Sequence, residues 1–190
     1  MTTNKEKYFI AWVPTGAVQQ HAEEIKRKLQ EKFGVKYALK SPAHVTVKMP
    51  FLWNGHKEAD LVKKLGAFFS SHESFPLILK GFSHFRQRVI FIKVMPQRRL
   101  ETLQEELGRY CKLNLKLDAE LSDQVFKPHM TVAYNDLKKR DFEDCFGYVK
   151  SLTFDRLARV DEFALLKKIE GRWEVVSFLK LGQGKADSVD

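Results

Sequence analysis

The chain runs through one plan twice. A strand-like run, Tyr8 to Val13, is stopped by Pro14, and Val18, Ala22, Ile25 and Leu29 follow at the spacing of an amphipathic helix. A second run, Val89 to Met95, is stopped by Pro96, and Leu100, Leu103, Leu107 and Cys111 follow in the same way. Pro14 and Pro96 stand 82 residues apart (96 − 14), and that offset pairs Val18 with Leu100, Ile25 with Leu107 and Leu29 with Cys111. Each copy has one apolar side to bury, so the repeat restricts the fold to two similar halves packed together.

Each half continues with a second strand, a second helix and a closing strand. Leu61, Val62, Leu65, Phe68 and Phe69 mark the helix of the first half, and Phe142, Cys145, Phe146 and Val149 that of the second. The closing strands are expected at Phe75 to Lys80 and near Leu152 to Leu157. Glu162 to Leu181 reads as a hairpin turning at Glu170-Gly171-Arg172. Alternating strands with one solvated face favour antiparallel or mixed pairing. The expected class is therefore α+β: two similar lobes about a pseudo-twofold axis, mostly antiparallel sheets with helices on the outer faces, and a central cleft. Residues 1–182 form one two-lobed domain in this reading, with halves of about 8–85 and 88–181, and 183–190 form a flexible tail.

The second strand of each half begins with the same short motif. His44-Val45-Thr46-Val47 follows Pro42, and His129-Met130-Thr131-Val132 follows Pro128, 85 residues later (129 − 44). Residues two apart on a strand share a face. His44 with Thr46, and His129 with Thr131, are thus expected to converge on the cleft, while Val45, Val47, Met130 and Val132 enter the core. Histidine titrates near neutrality, so two imidazoles on opposite sides of a phosphate can serve as base and acid. Two hydroxyls can donate to the oxygens on which charge develops. Strand propensity alone would account for a threonine, but its pairing with a histidine in both halves favours chemistry. No carboxylate cluster at metal-ligand spacing flanks either motif, so neither a metal nor another cofactor is expected.

Composition bounds the rest. No apolar run reaches the ~18–20 residues of a membrane helix, and Met1 to Lys7 lacks the apolar core of a secretory signal. Cys111 and Cys145 form no Cys-x-x-Cys pair, so a cytoplasmic protein without a disulfide framework is expected. The net charge of +9 favours a polyanionic partner such as RNA, although a well-solvated basic surface accounts for it equally.

The doubled His-x-Thr-x arrangement resembles the 2H phosphoesterase superfamily, and within it the 2′-5′ RNA ligase-like and cyclic phosphodiesterase branch. The resemblance rests on Ser41 to Phe51 and Lys127 to Tyr134, with Gly81 to Phe85 before Arg88 to Ile92, and Gly171 to Val176. It extends over roughly Tyr8 to Leu181. It implies a metal-independent phosphodiesterase that opens 2′,3′-cyclic phosphates of nucleotides or RNA ends, with reversible 2′-5′ ligation by the same groups. His44, Thr46, His129 and Thr131 would be catalytic, and the enzyme is expected to act as a monomer. Two other readings stand beside it: a non-catalytic RNA-binding module of the same fold, and a phosphodiesterase for a non-RNA cyclic phosphate such as that of ADP-ribose.

Substrate contacts are expected from Lys48, Phe85, Arg88 and Tyr134. Lys48 lies at i+4 from His44, although its counterpart Ala133 makes any such contact one-sided. Phe51, Phe85 and Tyr134 are stacking candidates for a base; with 15 phenylalanines in the chain, core packing competes for each ring. Arg86 and Arg88 could hold flanking phosphates or remain solvated. His21, read as an exposed helix residue, and His56, His72 and His84 are assigned no chemistry. The one visible insertion is the Asn114 to Gln124 connection.

Overall fold

A computed structural model describes residues 4–117 and 125–182. The tail at 183–190 and most of the Asn114 to Gln124 connection lie outside the described residues. Eight strands, β1 (Lys5–Trp12), β2 (Val45–Asn54), β3 (Phe75–Phe85), β4 (Val89–Val94), β5 (His129–Ala133), β6 (Asp155–Val160), β7 (Glu162–Ile169) and β8 (Arg172–Lys180), form one sheet. Its order is β6-β3-β4-β5-β2-β1-β7-β8 and every pairing is antiparallel. Among the described residues four α-helices accompany it: α1 (Gly16–Phe33), α2 (Glu58–Ser70), α3 (Arg98–Asn114) and α4 (Phe142–Ser151).

The apolar stripes read from the sequence are the buried ones. Val18, Ala22, Ile25 and Leu29 of α1, and Leu100, Leu103, Leu107 and Cys111 of α3, join a single core with one face of the sheet. Tyr8, Ile10 and Trp12 of β1 enter that core, while Phe9 and Ala11 point to the opposite face, as strand alternation requires. Gly34 ends α1 in the left-handed conformation, φ 70°, and its N–H returns to the Gln30 carbonyl at 2.8 Å. His21 is half-buried rather than exposed, because α1 turns it onto the ring of Phe154 at 4.7 Å.

The halves of the sequence and the halves of the sheet do not coincide. β3, the last strand of the first half, pairs with β4 and β6, and β7 and β8 from the end of the chain complete the side of β1 and β2. The physical reason is connection length. Only a tight turn separates β3 from β4, and strands joined that closely must pair with each other. The sheet is also strongly curled. Six strand spacings separate β6 from β7 in the pairing order, roughly 29 Å if flat, yet Asp161 alone links them. Glu73, just before β3, bridges Gly182, just after β8, so the two ends of the sheet meet at one side. The strands left in the middle, β5 and β2, carry both histidine motifs.

Candidate active site

β5 and β2 touch through one register pair, Val45 with Met130. Both side chains are fully buried in the core. Their sequence neighbours therefore face the other way. Antiparallel register sets His44 across from Thr131, and Thr46 across from His129. All four are half-buried and line one cleft of about 310 Å³. The pseudo-twofold axis passes through the Val45–Met130 pair, and each imidazole is matched with the hydroxyl of the other strand.

The same backbone device orients both rings. His44 Nδ1 lies 2.6 Å from the carbonyl oxygen of Pro42, and His129 Nδ1 lies 2.7 Å from that of Lys127. A carbonyl only accepts, so each Nδ1 carries the hydrogen and donates it. Each Nε2 is thereby left as the titrating atom, an acceptor when the ring is neutral. Burial is the main force that lowers the His44 pKa to about 4, with the Lys26 ammonium and His129 adding to it and the Pro42 hydrogen bond opposing it. Burial likewise lowers the His129 pKa against the Lys127 hydrogen bond. The free site thus favours neutral imidazoles, and a negative charge brought beside them would favour the protonated form.

Aromatic rings hold the imidazoles from the flanking strands. Phe9 packs on His44 at 4.9 Å between centroids, and Phe91 packs on His129 at 5.1 Å. These two phenylalanines are 82 residues apart (91 − 9), the offset that relates Pro14 to Pro96. Trp173 meets Phe9 edge-on at 4.7 Å, and Phe85 meets His129 edge-on at 5.0 Å. Phe9, Trp173 and Tyr37 line the cleft and were not singled out as site residues by sequence; the shared offset of Phe9 and Phe91 is the signal that could have found the first. A further network beneath the first motif was not anticipated. Lys26 on α1 donates to Glu23 at 3.1 Å and to the Ser41 carbonyl at 2.9 Å, and Glu23 accepts from the Ala43 N–H at 2.5 Å.

The expected substrate contacts divide. Tyr134 lines the cleft, 44% exposed, with its ring edge-on to Tyr37 at 5.4 Å. Phe85 reaches the site as a support for His129 and Phe91. Arg88 is exposed in an adjoining hollow that shares Val89 and Tyr134 with the cleft. Lys48 does not face the cleft. Register shifts in β2 place it opposite Ile10, a residue of the helix-covered core, and it is 2% exposed. A bulge adds one residue and breaks the period-2 alternation, so Met49 and Pro50 take the cleft-lining positions instead. Phe51 is buried against Tyr8. His72 is followed by Ser74 at i+2, but it caps the end of α2, with Nδ1 2.9 Å from the Phe68 carbonyl and Nε2 2.8 Å from Glu106. Among the described residues no three His, Cys, Asp or Glu side chains converge as a metal site would require. No helix among them is long and apolar enough to cross a membrane.

The chain is similar to known proteins in sequence and in fold. The family model described as the 2′-5′ RNA ligase superfamily matches residues 14–172. A protein of Geobacillus sp. (strain WCH70), provisionally named a phosphoesterase, is 31% identical over 179 residues, covering 93% of this chain and 96% of its own. One from Bacillus pumilus (strain SAFR-032), named in the same way, is 29% identical over 180 residues, covering 93% and 98%. Among solved structures, E. coli LigT complexed with 3′-AMP superposes with a TM-score of 0.63 at 19% identity, covering 94% of this chain and 99% of LigT. TT0787 of Thermus thermophilus gives 0.62 at 19%, covering 93% and 98%. At such identity the likeness to both structures is one of fold.

Proposed function

This chain belongs to the 2′-5′ RNA ligase superfamily, and on that premise we propose that it is a metal-independent phosphodiesterase opening 2′,3′-cyclic phosphates of nucleotides or RNA ends. The observation that carries the reading is the pair of Nδ1–carbonyl hydrogen bonds, which aim two equivalent Nε2 atoms from neighbouring strands into one cleft. One neutral histidine takes a proton from the attacking water as its oxygen bonds to phosphorus. The bond from phosphorus to one ribose oxygen breaks, and the other histidine, protonated, delivers its proton to that oxygen. A 2′- or 3′-phosphomonoester remains. Such proton transfers contribute about 10²–10⁴-fold. Thr46 and Thr131 donate to the non-bridging oxygens, where the transition state gathers charge. With a 5′-hydroxyl in place of water, its oxygen bonds to phosphorus, the bond to the 3′ oxygen breaks and that oxygen takes the proton, so the same groups form a 2′-5′ bond; at ordinary concentrations in water, hydrolysis prevails. The complexes of E. coli LigT with 3′-AMP, NADP+ and ATP support a nucleotide ligand for a site on this fold.

The test is turnover of 2′,3′-cyclic nucleotides and a cyclic-phosphate-ended RNA oligomer in EDTA, by wild type, His44→Ala and His129→Ala. Activity that survives EDTA and is lost in both variants is the expected result. Activity retained in both variants, or abolished by EDTA and restored by a metal ion, overturns the mechanism.

A further inference from the structure

The cleft opens into a second hollow. Val89 and Tyr134 line both the histidine cleft and an adjoining cavity of about 440 Å³. Arg86, Arg88 and Lys139 converge on this second cavity, and all three are exposed. Among the described residues none of the three has an ion-pair partner. Gln87, which also lines the cavity, instead engages Glu143 at 3.2 Å.

The backbone around the cavity is held in an unfavourable conformation. Five described non-glycine residues have positive φ, and three of them line this hollow: Arg86 at 45°, Gln87 at 55° and Asn135 at 64°. The β7–β8 hairpin of the same sheet meets the same demand with Gly171 at 80° in its second turn position, where the β3–β4 hairpin has Gln87. Left-handed non-glycine residues cost about 1–2 kcal/mol each, and such strain gathers at ligand clamps. Here it sets two arginines either side of a tight turn, beside the cleft. Guanidinium groups match phosphate oxygens in pairs, and three like charges on one wall repel until an anion joins them.

We propose that this cavity is a second phosphate subsite, which takes a phosphate one nucleotide removed from the reacting one. Tyr134 forms the ridge between the two sites, where the connecting nucleoside lies along its exposed ring. The substrate class is then a nucleoside cyclic phosphate bearing a further phosphate at its 5′ side, either a 5′-monoester or the next diester of an RNA strand. The inference rests on the phosphodiesterase reading above.

The experiment compares three substrates: adenosine 2′,3′-cyclic phosphate, its 5′-phosphorylated form, and a dinucleotide ending in the same cyclic phosphate. In wild type, kcat/KM should be at least about tenfold higher with the added phosphate, the weight of one charge-assisted hydrogen bond. In Arg86→Gln/Arg88→Gln that ratio should fall toward one. A ratio that collapses for the monoester alone, or for the diester alone, identifies the natural source. A wild-type ratio of one, or equal losses on all three substrates, overturns the subsite. If wild type turns over none of them, the phosphodiesterase reading fails, and calorimetry separates the two ideas. The subsite predicts that adenosine 3′,5′-bisphosphate binds at least about tenfold more tightly than 3′-AMP, with the difference lost in the double variant; equal affinities overturn it.

Discussion

The ammonium of Lys26 lies 2.9 Å from the carbonyl oxygen of Ser41, three residues ahead of His44. Lys26 is 1% exposed, and its partner Glu23 reaches on to the Ala43 N–H. Helix α1 thus grips the chain on both sides of Pro42, the residue whose carbonyl orients the His44 ring. The 82-residue offset gives Glu105 as the counterpart of Glu23 but Gly108 as the counterpart of Lys26. Helix α3 therefore carries no lysine at the position equivalent to Lys26, and the two histidines, alike in hydrogen bonding, differ in electrostatic surroundings: the Lys26 ammonium acts on His44, whereas burial and the Lys127 carbonyl set the shift of His129.

That asymmetry is measurable. Lys26→Met removes a positive charge that disfavours the imidazolium of His44, so the His44 pKa should rise while that of His129 stays nearly fixed. Titration of the two imidazole C–H resonances by NMR reads this directly, and equal movement of both would exclude the asymmetry. The variant also leaves Glu23 without its cation, which should cost about 2 kcal/mol of stability.

Stability should fall with acidity in a defined window. The folded protein holds His44 at about 4 against an ordinary 6.5, and lowers His129 as well. A depressed pKa means that the unfolded chain binds protons more readily, so stability is full above about 6.5 and declines as pH drops toward 4. Urea midpoints measured across that range should show this decline, and His44→Asn should flatten it. An unchanged slope in the variant would place the acid sensitivity elsewhere.

Thr46→Val and Thr131→Val keep strand propensity and shape while removing a hydroxyl. Each should lower kcat by about 10²-fold with little change in thermal midpoint. A loss confined to KM would instead give the hydroxyls a role in ground-state binding.

Gly34→Ala tests the end of α1. A Cβ there meets no atom within 4 Å, yet φ is +70°, so the penalty is purely conformational. It should be about 1 kcal/mol, read as a drop of a few degrees in the thermal midpoint.

The sequence by itself determined the elements and which of their side chains share a face. Apolar spacing identified the buried faces of α1 and α3, and Pro14 and Pro96 marked strand ends, because these depend on neighbours within a few residues. The motif period placed His44 with Thr46, and His129 with Thr131, opposite Val45 and Met130. Tertiary structure decided what local period cannot reach. The short β3–β4 turn drew β3 across to the other lobe, and the link through Asp161 curled the sheet. The bulges of β2 carried Lys48 from the cleft side into the core, since an inserted residue reverses the faces that follow it until a second irregularity restores them. Lys26 and Glu23 came under the first motif only because α1 packs there, and Arg86 and Arg88 came beside Tyr134 only because β4 pairs with β5. Those contacts join residues distant in sequence, and no spacing along the chain records them.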